Sequence, residues 1–378
     1  MKIAINTRFL ADKNLEGFAR FIYETTRRMV DRHPEDQFYF LFDRKSYDKS
    51  FIFGTNVKPI VVPPQARHPY LWYIWYEWTS KRALRKIKPD VYLSPDGLNS
   101  TSLPFPSVTV IHDIGFEKLE DQLPATVEKY YRKMTPRIIS GSDRVVTVSE
   151  FSKKEICSTY SINPDKVDVV HNGFTSNFKP LTQEEKEKIC KEYSEGQPYF
   201  LFVGSIHPRK NIERLIGAFE MFKEQTGSPM KLFLAGRWAW KSEDIREKYQ
   251  QSAYKEDIVA TGYISEKTLG KLMSGARAFC YLSLYEGFGI PILEAMAAGI
   301  PVVTSSISSM PEVAGDAALY ADPMDEKDMS RQMQRLATDE KLRHQLIEKG
   351  FERINHFDWD RSADQLYHIL KELVSKKA

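Results

Sequence analysis

Short apolar runs alternate with amphipathic helical patterns along the first half of the chain. Residues 108–111 are a continuous Val-Thr-Val-Ile run, which is typical of a parallel strand covered on both faces. Strands are predicted at 3–5, 38–42, 59–62, 90–93, 108–111, 145–148 and 167–170, with helices at 18–30, 125–140 and 151–160. Strands and helices that alternate in this way predict a doubly wound α/β domain.

The same pattern starts again after a charged segment at 179–191. Strands are predicted at 199–204, 232–236, 258–260, 279–282 and 302–304, with helices between them. We therefore predict two Rossmann-like domains, with the boundary in 172–180. The N-terminal domain takes residues 1–175 and an amphipathic C-terminal helix at 358–378, and the C-terminal domain takes residues 176–357.

The composition is that of a soluble globular protein. The 378 residues are 42% apolar and 28% charged, and no apolar run approaches the ~20 residues of a membrane-spanning helix. The first strand is predicted to begin at once, which argues against a signal peptide. Three widely spaced cysteines argue against a disulfide framework or a metal site. These features favour a cytoplasmic protein.

The net charge of +3 is unevenly distributed. Residues 1–175 contain 26 Lys and Arg against 21 Asp and Glu, whereas the remainder contains 28 against 30. A basic first half is compatible with an anionic acceptor or a membrane surface. Uneven surface charge without a function is the alternative.

The stretch from Glu286 to Glu294 carries the densest pattern in the chain. Gly287 and Gly289 lie between an apolar strand and a helix with Pro291 in its first turn. The start of a helix offers free N–H groups and a positive dipole end to a phosphate. Glu286 precedes this turn, and Glu294 follows eight residues later, about two turns into the helix. The two carboxylates fit a sugar hydroxyl and a ribose diol.

This stretch, E-G-F-G-x-P-x-x-E-A followed by A-x-G-x-P-V-V, resembles the E-x7-E signature of the retaining glycosyltransferases of family 4 (group 1). The resemblance implies the GT-B architecture, in which two Rossmann-like domains face each other across a cleft and a C-terminal helix crosses back to the first domain. It also implies that Glu286, Gly287, Phe288, Gly289 and Glu294 bind a nucleotide sugar. The alternative is that the glycines only form a turn and the glutamates are solvated.

A second segment supports the same resemblance. Gly204 to Asn211 is similar to the family's G-x-x-x-x-R-K-N segment, which follows the first strand of the second domain. Arg209 and Lys210 are predicted to bind a diphosphate and to stabilise it as it leaves. No Asp-x-Asp metal motif follows a strand, so we predict that the enzyme needs neither a metal nor another cofactor. A solvated cation pair that caps a loop is the alternative.

Other positions match the family more loosely. His112 occupies the loop where the family often has a His near the donor sugar, and a His that only shapes the cleft is the alternative. Gly17 and Arg20, in Glu16–Arg20, retain part of a glycine-rich loop that lines the acceptor side. A structural turn is equally compatible with these two residues.

The nucleotide is expected to meet three further residues. Arg237 follows a predicted strand, and Tyr263 and Ile264 occupy the stretch that passes the base in this family. Ser149 and Ser152 are interpreted as helix-capping residues rather than catalytic ones.

Residues 68–88 are the most aromatic part of the chain and end in a cluster of cations. Aromatic residues beside cations suit a membrane interface, so we predict weak peripheral contact with the inner face of the membrane. A core helix with a basic exposed face is the alternative. The aromatic residues are Tyr70, Trp72, Tyr73, Trp75, Tyr76 and Trp78, followed by Lys81, Arg82, Arg85, Lys86 and Lys88.

The resemblance implies transfer of a hexose, with retention, from a nucleoside-diphosphate sugar to a hydroxyl of a lipid-linked or surface-polysaccharide glycan. Mannose from GDP-mannose is the first expectation, and no nucleic-acid partner is expected. The alternatives are a glucosyltransferase, a glycogen- or sucrose-synthase-like enzyme, a nucleotide-sugar epimerase and a non-catalytic subunit that binds sugar nucleotides. If Glu286 holds the sugar and Glu294 the ribose, Glu286→Gln should leave the affinity for the bare nucleoside diphosphate nearly unchanged.

Overall fold

The computed structural model describes residues 1–10, 15, 17–119, 123–174 and 178–376. Its backbone divides into two compact units. Unit 1 comprises Met1–Gly173 and Asp358–Ala378, and unit 2 comprises Phe174–Phe357. The chain passes from unit 1 to unit 2 between residues 173 and 174, within the predicted boundary segment 172–180 and two residues before the predicted division at 175. Residues 175–177 of that segment lie outside the described residues.

Unit 1 contains a seven-stranded parallel sheet in the order β3-β2-β1-β4-β5-β6-β7. The order reverses between β1 and β4, and this is the place where open α/β sheets bind ligands at the carboxyl ends of their strands. The strands are β1 (Lys2–Asn6), β2 (Gln37–Phe42), β3 (Val57–Val61), β4 (Val91–Ser94), β5 (Ser107–Val110), β6 (Arg144–Thr147) and β7 (Val167–Val169).

Helices alternate with the strands of unit 1 along the chain. A π-helical turn at Trp75–Ser80 joins two short helices into one helical segment from residue 69 to residue 87. The α-helices are α1 (Phe18–Arg32), α2 (Pro69–Ile74), α3 (Lys81–Ile87), α4 (Gly115–Lys118), α5 (Ala125–Gly141) and α6 (Glu150–Tyr160).

The helical segment 69–87 and α5 pack against each other through large apolar side chains. Trp75, Tyr76 and Leu84 are fully buried with Met134 and Ile138 of α5. This burial agrees with the core-helix interpretation for one face of the segment. Its other face is exposed, as described below.

Unit 2 contains a six-stranded parallel sheet in the order β10-β9-β8-β11-β12-β13. The last strand, β13, was not predicted, because its Ala-Leu-Tyr-Ala sequence has little β-branched character. The strands are β8 (Tyr199–Val203), β9 (Lys231–Ala235), β10 (Ile258–Gly262), β11 (Ala278–Tyr281), β12 (Val302–Ser305) and β13 (Ala318–Ala321).

The helices of unit 2 follow its strands in the alternation that the sequence predicts. The charged segment at 179–191 forms most of α7, which begins with a reciprocal capping box between Thr182 and Glu185. The helices are α7 (Gln183–Tyr193), α8 (Ile212–Thr226), α9 (Glu243–Gln251), α10 (Glu266–Gly275), α11 (Ile290–Ala297), α12 (Met310–Ala314), α13 (Glu326–Thr338) and α14 (Glu340–Ile354).

The C-terminal helix α15 (Trp359–Ser375) belongs to unit 1, as predicted. It packs on α1, where Arg28 Nε donates to Asp360 Oδ1 at 2.8 Å and the ring of Phe21 meets that of Trp359. A Cβ on Gly173 would lie 2.4 Å from the backbone nitrogen of Trp359, so a larger residue would clash there. The chain returns to unit 1 beside the point where it leaves it.

Among the described residues, no helix is long and apolar enough to cross a membrane.

Candidate functional site

In the candidate site of unit 2, the backbone segments around Gly204 and Gly236 lie in direct contact. Gly204 follows β8 with φ of 146°, and a Cβ on Gly236 would lie 1.8 Å from the carbonyl oxygen of Gly204. Only glycine allows this approach at 236, and the positive φ strongly favours it at 204. The two glycines therefore hold the loops after β8 and β9 side by side at the carboxyl edge of the sheet.

The cations follow in a short 3₁₀ turn, Pro208–Lys210. His207 caps it, because its Nδ1 accepts from the backbone N–H of Arg209 at 3.2 Å. Asn211 closes the turn with φ of 60° and donates from Nδ2 to the carbonyl oxygens of Leu282 and Pro323, at 3.0 and 2.7 Å. These bonds fix the cation turn to the loop that follows β11.

Glu286 lies in that loop, and its backbone is fixed independently of its side chain. Its N–H donates to Ser308 Oγ at 2.9 Å, and its carbonyl oxygen accepts from Ser308 Oγ at 2.7 Å and Ser309 Oγ at 2.9 Å. Gly289 then adopts φ of 114° and leads into α11. The strand, glycine turn and helix occur in the predicted order.

Three charged side chains meet between these two loops. Lys210 Nζ donates to Glu286 Oε1 at 2.6 Å and to the hydroxyl of Tyr281 at 2.9 Å. Arg209 donates to the carbonyl oxygen of Tyr285 at 3.2 Å and lies 3.5 Å from Glu286 Oε2. We call Arg209, Lys210 and Glu286 the cation–carboxylate triad. Two cations to one carboxylate leave the triad with a net positive charge.

The surroundings keep the triad charged. Burial alone would raise the pKa of Glu286, but the charges of Lys210 and Arg209 outweigh it and lower this pKa to about 2. Burial, reinforced by the charge of Glu286, raises the pKa of Tyr281 well above its ordinary value. At neutral pH the triad is therefore a carboxylate held by two cations, with a neutral phenol beside it.

Glu294 lies nearer to the start of its helix than the sequence interpretation predicted. Helix α11 begins at Ile290, so Glu294 is one turn into the helix rather than two. Its side chain is buried within unit 2, as is Phe288, whose ring packs edge-on against Phe357. The error came from counting turns from Glu286, although the non-helical glycine turn occupies the first residues of that interval.

Two of the residues predicted to contact the nucleotide base are exposed to solvent. The guanidinium of Arg237 lies 4.6 Å from the ring centre of Tyr263, and both residues are exposed. Ile264 follows and is partly buried. An exposed aromatic ring with a cation on its face offers a stacking surface to a planar base.

His112 lies in unit 1, at the carboxyl end of β5. Its Nε2 is 3.0 Å from the carbonyl oxygen of Pro95, which can only accept, so Nε2 carries the proton and Nδ1 is left as an acceptor. The rings of Phe18 and Phe21 flank it at 4.7 and 5.1 Å. Burial lowers the pKa of His112, so the imidazole is neutral at pH 7.

The predicted acceptor residues begin α1. Gly17 is exposed at the N-cap with φ of 53°, and Arg20 is half-buried in the first turn of the helix. Glu16 lies outside the described residues. Ser149 Oγ accepts from the backbone N–H of Ser152, which confirms Ser149 as the cap of α6. The hydroxyl of Ser152 is not a cap, because it donates to the carbonyl oxygen of His112 at 3.2 Å.

The sequence interpretation missed a buried network in unit 1. Arg8 Nε donates to Asp96 Oδ2 at 2.5 Å, and Asn6 Nδ2 and the Tyr76 hydroxyl donate to the same oxygen at 2.9 and 2.7 Å. We call these four residues the Asp96 network. Asp96 directly follows Pro95, so the network fixes the loop that orients His112. Polar residues after β1 and β4, the adjacent strands at the order reversal, were the signal that could have found it.

Among the described residues, no group of three or more His, Cys, Asp or Glu side chains is arranged to hold a metal ion.

A parallel six-stranded sheet with a fixed glycine turn and two cations at its carboxyl edge is an arrangement that suits a phosphorylated ligand. The family model of glycosyl transferases group 1 matches residues 183–353, and that of Glycosyltransferase Family 4 matches residues 15–177. The chain belongs to the group 1, family 4 glycosyltransferases, and it is a transferase.

Several curated relatives are mannosyltransferases, and two of them are compared with this chain below. The chain is 31% identical to O-antigen chain mannosyltransferase B of Escherichia coli, over 77% of this chain and 76% of that one. It is 30% identical to O-antigen chain mannosyltransferase RfbU of Salmonella typhimurium, over 68% of each chain. Among solved structures, sucrose-phosphate synthase from Thermosynechococcus elongatus superposes with a TM-score of 0.79 over 99% of both chains at 17% identity. This last likeness identifies the fold, which is that of the GT-B glycosyltransferases.

Proposed function

We propose that this protein transfers mannose from GDP-mannose to a hydroxyl of a lipid-linked or surface-polysaccharide glycan, with retention at the anomeric carbon. The observation that carries the proposal is the cation–carboxylate triad. Its two cations suit the diphosphate, and its buried carboxylate suits a hydroxyl of the donor sugar. The names of the two mannosyltransferase relatives support mannose as the sugar.

The proposed reaction exchanges one bond at the anomeric carbon for another. The acceptor oxygen bonds to this carbon while the bond to the diphosphate oxygen breaks, on the same face of the sugar. The acceptor proton passes to the leaving phosphate oxygen. Arg209 and Lys210 stabilise the charge that grows on the diphosphate, and His112 Nδ1 offers an acceptor to a sugar hydroxyl. No metal takes part in this scheme.

Donor assays test this proposal. Purified protein is incubated with GDP-mannose, UDP-glucose, UDP-galactose or ADP-glucose, and release of the nucleoside diphosphate is followed with and without a crude polyprenyl-glycan fraction. We expect acceptor-stimulated release from GDP-mannose above all. A preference for UDP- or ADP-glucose would favour the glucosyltransferase or synthase alternatives. Binding without release from any donor would favour a non-catalytic subunit.

We also propose that unit 1 contacts the membrane surface where a lipid-linked acceptor is held. Tyr70, Tyr73 and Trp78 on the helical segment 69–87 are 70%, 45% and 68% exposed. Seven exposed cations belong to the same part of unit 1: three lie in the helical segment 69–87, one is residue 88, and three lie in α5. They are Arg82, Arg85, Lys86, Lys88, Lys129, Lys133 and Arg137.

The charge of this surface is not compensated. Within the described parts of the chain, none of the seven cations forms an ion pair, whereas Glu77 is paired with Lys81 and Glu128 with Arg132. Lys129, Lys133 and Arg137 recur every four residues and so share one face of α5. Cations close to an anionic leaflet contribute about 1 kcal/mol each, and exposed Trp and Tyr suit the interface.

Vesicle flotation tests this contact. Phosphatidylcholine vesicles with phosphatidylglycerol should retain the protein, less so as salt rises, and vesicles of phosphatidylcholine alone should not. The triple variant Arg85→Glu, Lys86→Glu, Lys133→Glu should lose retention. A matched triple reversal on unit 2, Lys267→Glu, Lys327→Glu, Lys341→Glu, should keep it. Equal retention on neutral vesicles would leave only the core-helix interpretation.

A further inference from the structure

Glu286 is paired with both of the cations that the proposed function assigns to the diphosphate. Lys210 Nζ is 2.6 Å from one of its carboxylate oxygens, and the guanidinium of Arg209 is 3.5 Å from the other. The Glu286 side chain is 8% exposed, so water screens these attractions weakly. A diphosphate that approaches Lys210 and Arg209 meets a negative charge already bound to them.

We propose that Glu286 competes with the diphosphate for Lys210 and Arg209, and so discriminates against the free nucleoside diphosphate in favour of the intact sugar nucleotide. This inference rests on the proposed function. It makes Glu286 a determinant of donor-over-product selectivity in addition to a contact for the sugar.

The selectivity depends on which groups replace the two cations as partners of the Glu286 carboxylate. When phosphate oxygens draw Lys210 and Arg209 away, the buried carboxylate loses hydrogen-bond donors and opposite charges, which is costly unless other donors take their place. The hydroxyls of the donor sugar can donate to it. A nucleoside diphosphate has no sugar at this position, so it leaves Glu286 short of partners. The reaction thus converts a ligand that satisfies Glu286 into one that does not, which favours release of the product.

The loop is built so that the carboxylate stays in place while the cations move. The N–H and the carbonyl of Glu286 are held by Ser308 and Ser309, not by the triad. The amide of Gln has nearly the same shape as the carboxylate and can still accept from Lys210, but it carries no charge. The exchange Glu286→Gln therefore removes the competition with little demand on the backbone.

This reasoning reverses the expectation from the sequence, in which Glu286→Gln leaves the affinity for a bare nucleoside diphosphate nearly unchanged. Removing the unit charge that is bound to Lys210 and Arg209 should tighten the binding of GDP and of inorganic pyrophosphate by about tenfold. Binding of GDP-mannose should weaken or stay level, because a charged acceptor for its hydroxyls is lost. The ratio of GDP to GDP-mannose dissociation constants should therefore fall, and product inhibition by GDP should increase.

Calorimetric titration tests the inference, with GDP, pyrophosphate and GDP-mannose added to the native protein and to each variant. Glu286→Ala carries the same expectation for GDP and serves if Gln lowers the stability of the fold. The matched control is Glu213→Gln, an exposed Glu in the first turn of α8, which changes the net charge equally. It should leave GDP binding within about twofold of native, because solvent screens an exposed charge.

The outcomes separate the two proposals. If the native protein binds GDP and both Glu286 variants bind it equally or more weakly, the competition is wrong and the proposed function stands. An equal gain in Glu213→Gln would also overturn the competition, because general surface charge would then explain it. If the native protein binds neither GDP, UDP nor pyrophosphate, the proposed function fails and the inference fails with it.

Discussion

The carboxyl edges of the two sheets use buried charge in different ways. In unit 2, the triad sets two cations against one carboxylate and keeps a net positive charge. In unit 1, the Asp96 network sets one cation against one carboxylate, and the His112 beside it is neutral at pH 7. The first arrangement suits a polyanion. The second, with no net charge, suits uncharged hydroxyl groups.

The Asp96 network should show the largest effect, on stability rather than on nucleotide binding. Asp96→Ala leaves Arg8 buried without its carboxylate, which should cost about 3–5 kcal/mol of unfolding free energy. The measurement is urea denaturation. As control, Asp364→Ala removes an exposed partner of Arg32 and should cost less than about 1 kcal/mol. Similar losses of unfolding free energy in the two variants would show that the buried pair stabilises the protein no more than the exposed pair does.

Lys210→Ala should weaken nucleotide binding at the triad of unit 2. It removes a charge-assisted contact to the diphosphate worth on the order of 1.5–3 kcal/mol, so GDP affinity and turnover should fall together. Calorimetry and a transfer assay measure the two effects. Lys267→Ala, an exposed cation on α10, is the control and should change neither. Native-like GDP affinity in Lys210→Ala would place Lys210 outside the site.

The pKa of Glu286 gives a smaller effect with a defined sign. Its folded pKa of about 2 lies below the ordinary 4.5, so the stability it contributes is present above pH 4.5 and is lost as the pH falls toward 2. Between pH 5 and pH 3.5 the native protein should lose about 1 kcal/mol more than Glu286→Gln does. Parallel stability curves for the two proteins over this range would mean that the carboxylate is not held by the cations.

A chelator should have the smallest effect. We propose that Arg209 and Lys210 supply the positive charge that a metal supplies in other transferases, so EDTA should leave transfer unchanged. Activity lost in EDTA and restored by Mg²⁺ or Mn²⁺ would contradict this part of the comparison.

The two edges also differ in how far the sequence predicts them. The triad comes from two local segments, 204–211 and 286–294, whose glycines, cations and carboxylates are recognisable as patterns. The Asp96 network joins residues 88 positions apart, and its pairing depends on which strands lie side by side. Sequence periodicity predicts strands but not their order, so polar residues after strands could indicate this network but its pairings could be read only from the fold.

The contact between Glu286 and the two cations shows a second limit. The motif indicates that Glu286, Arg209 and Lys210 belong to one site, but not that they bind each other. That contact depends on the αL turn at Asn211 and on its bonds to Leu282 and Pro323. All strands except β13 were predicted, because their patterns are local. Side-chain partners across loops were not.

Hydrogen–deuterium exchange of the native chain with and without GDP tests the central claim most directly, because it compares both edges in one sample. The account predicts that GDP slows exchange most in peptides covering 204–211 and 286–294, and much less in peptides covering 94–112. Equal or greater protection at 94–112, or none at either edge when calorimetry shows GDP bound, would contradict the assignment of the diphosphate to the triad of unit 2.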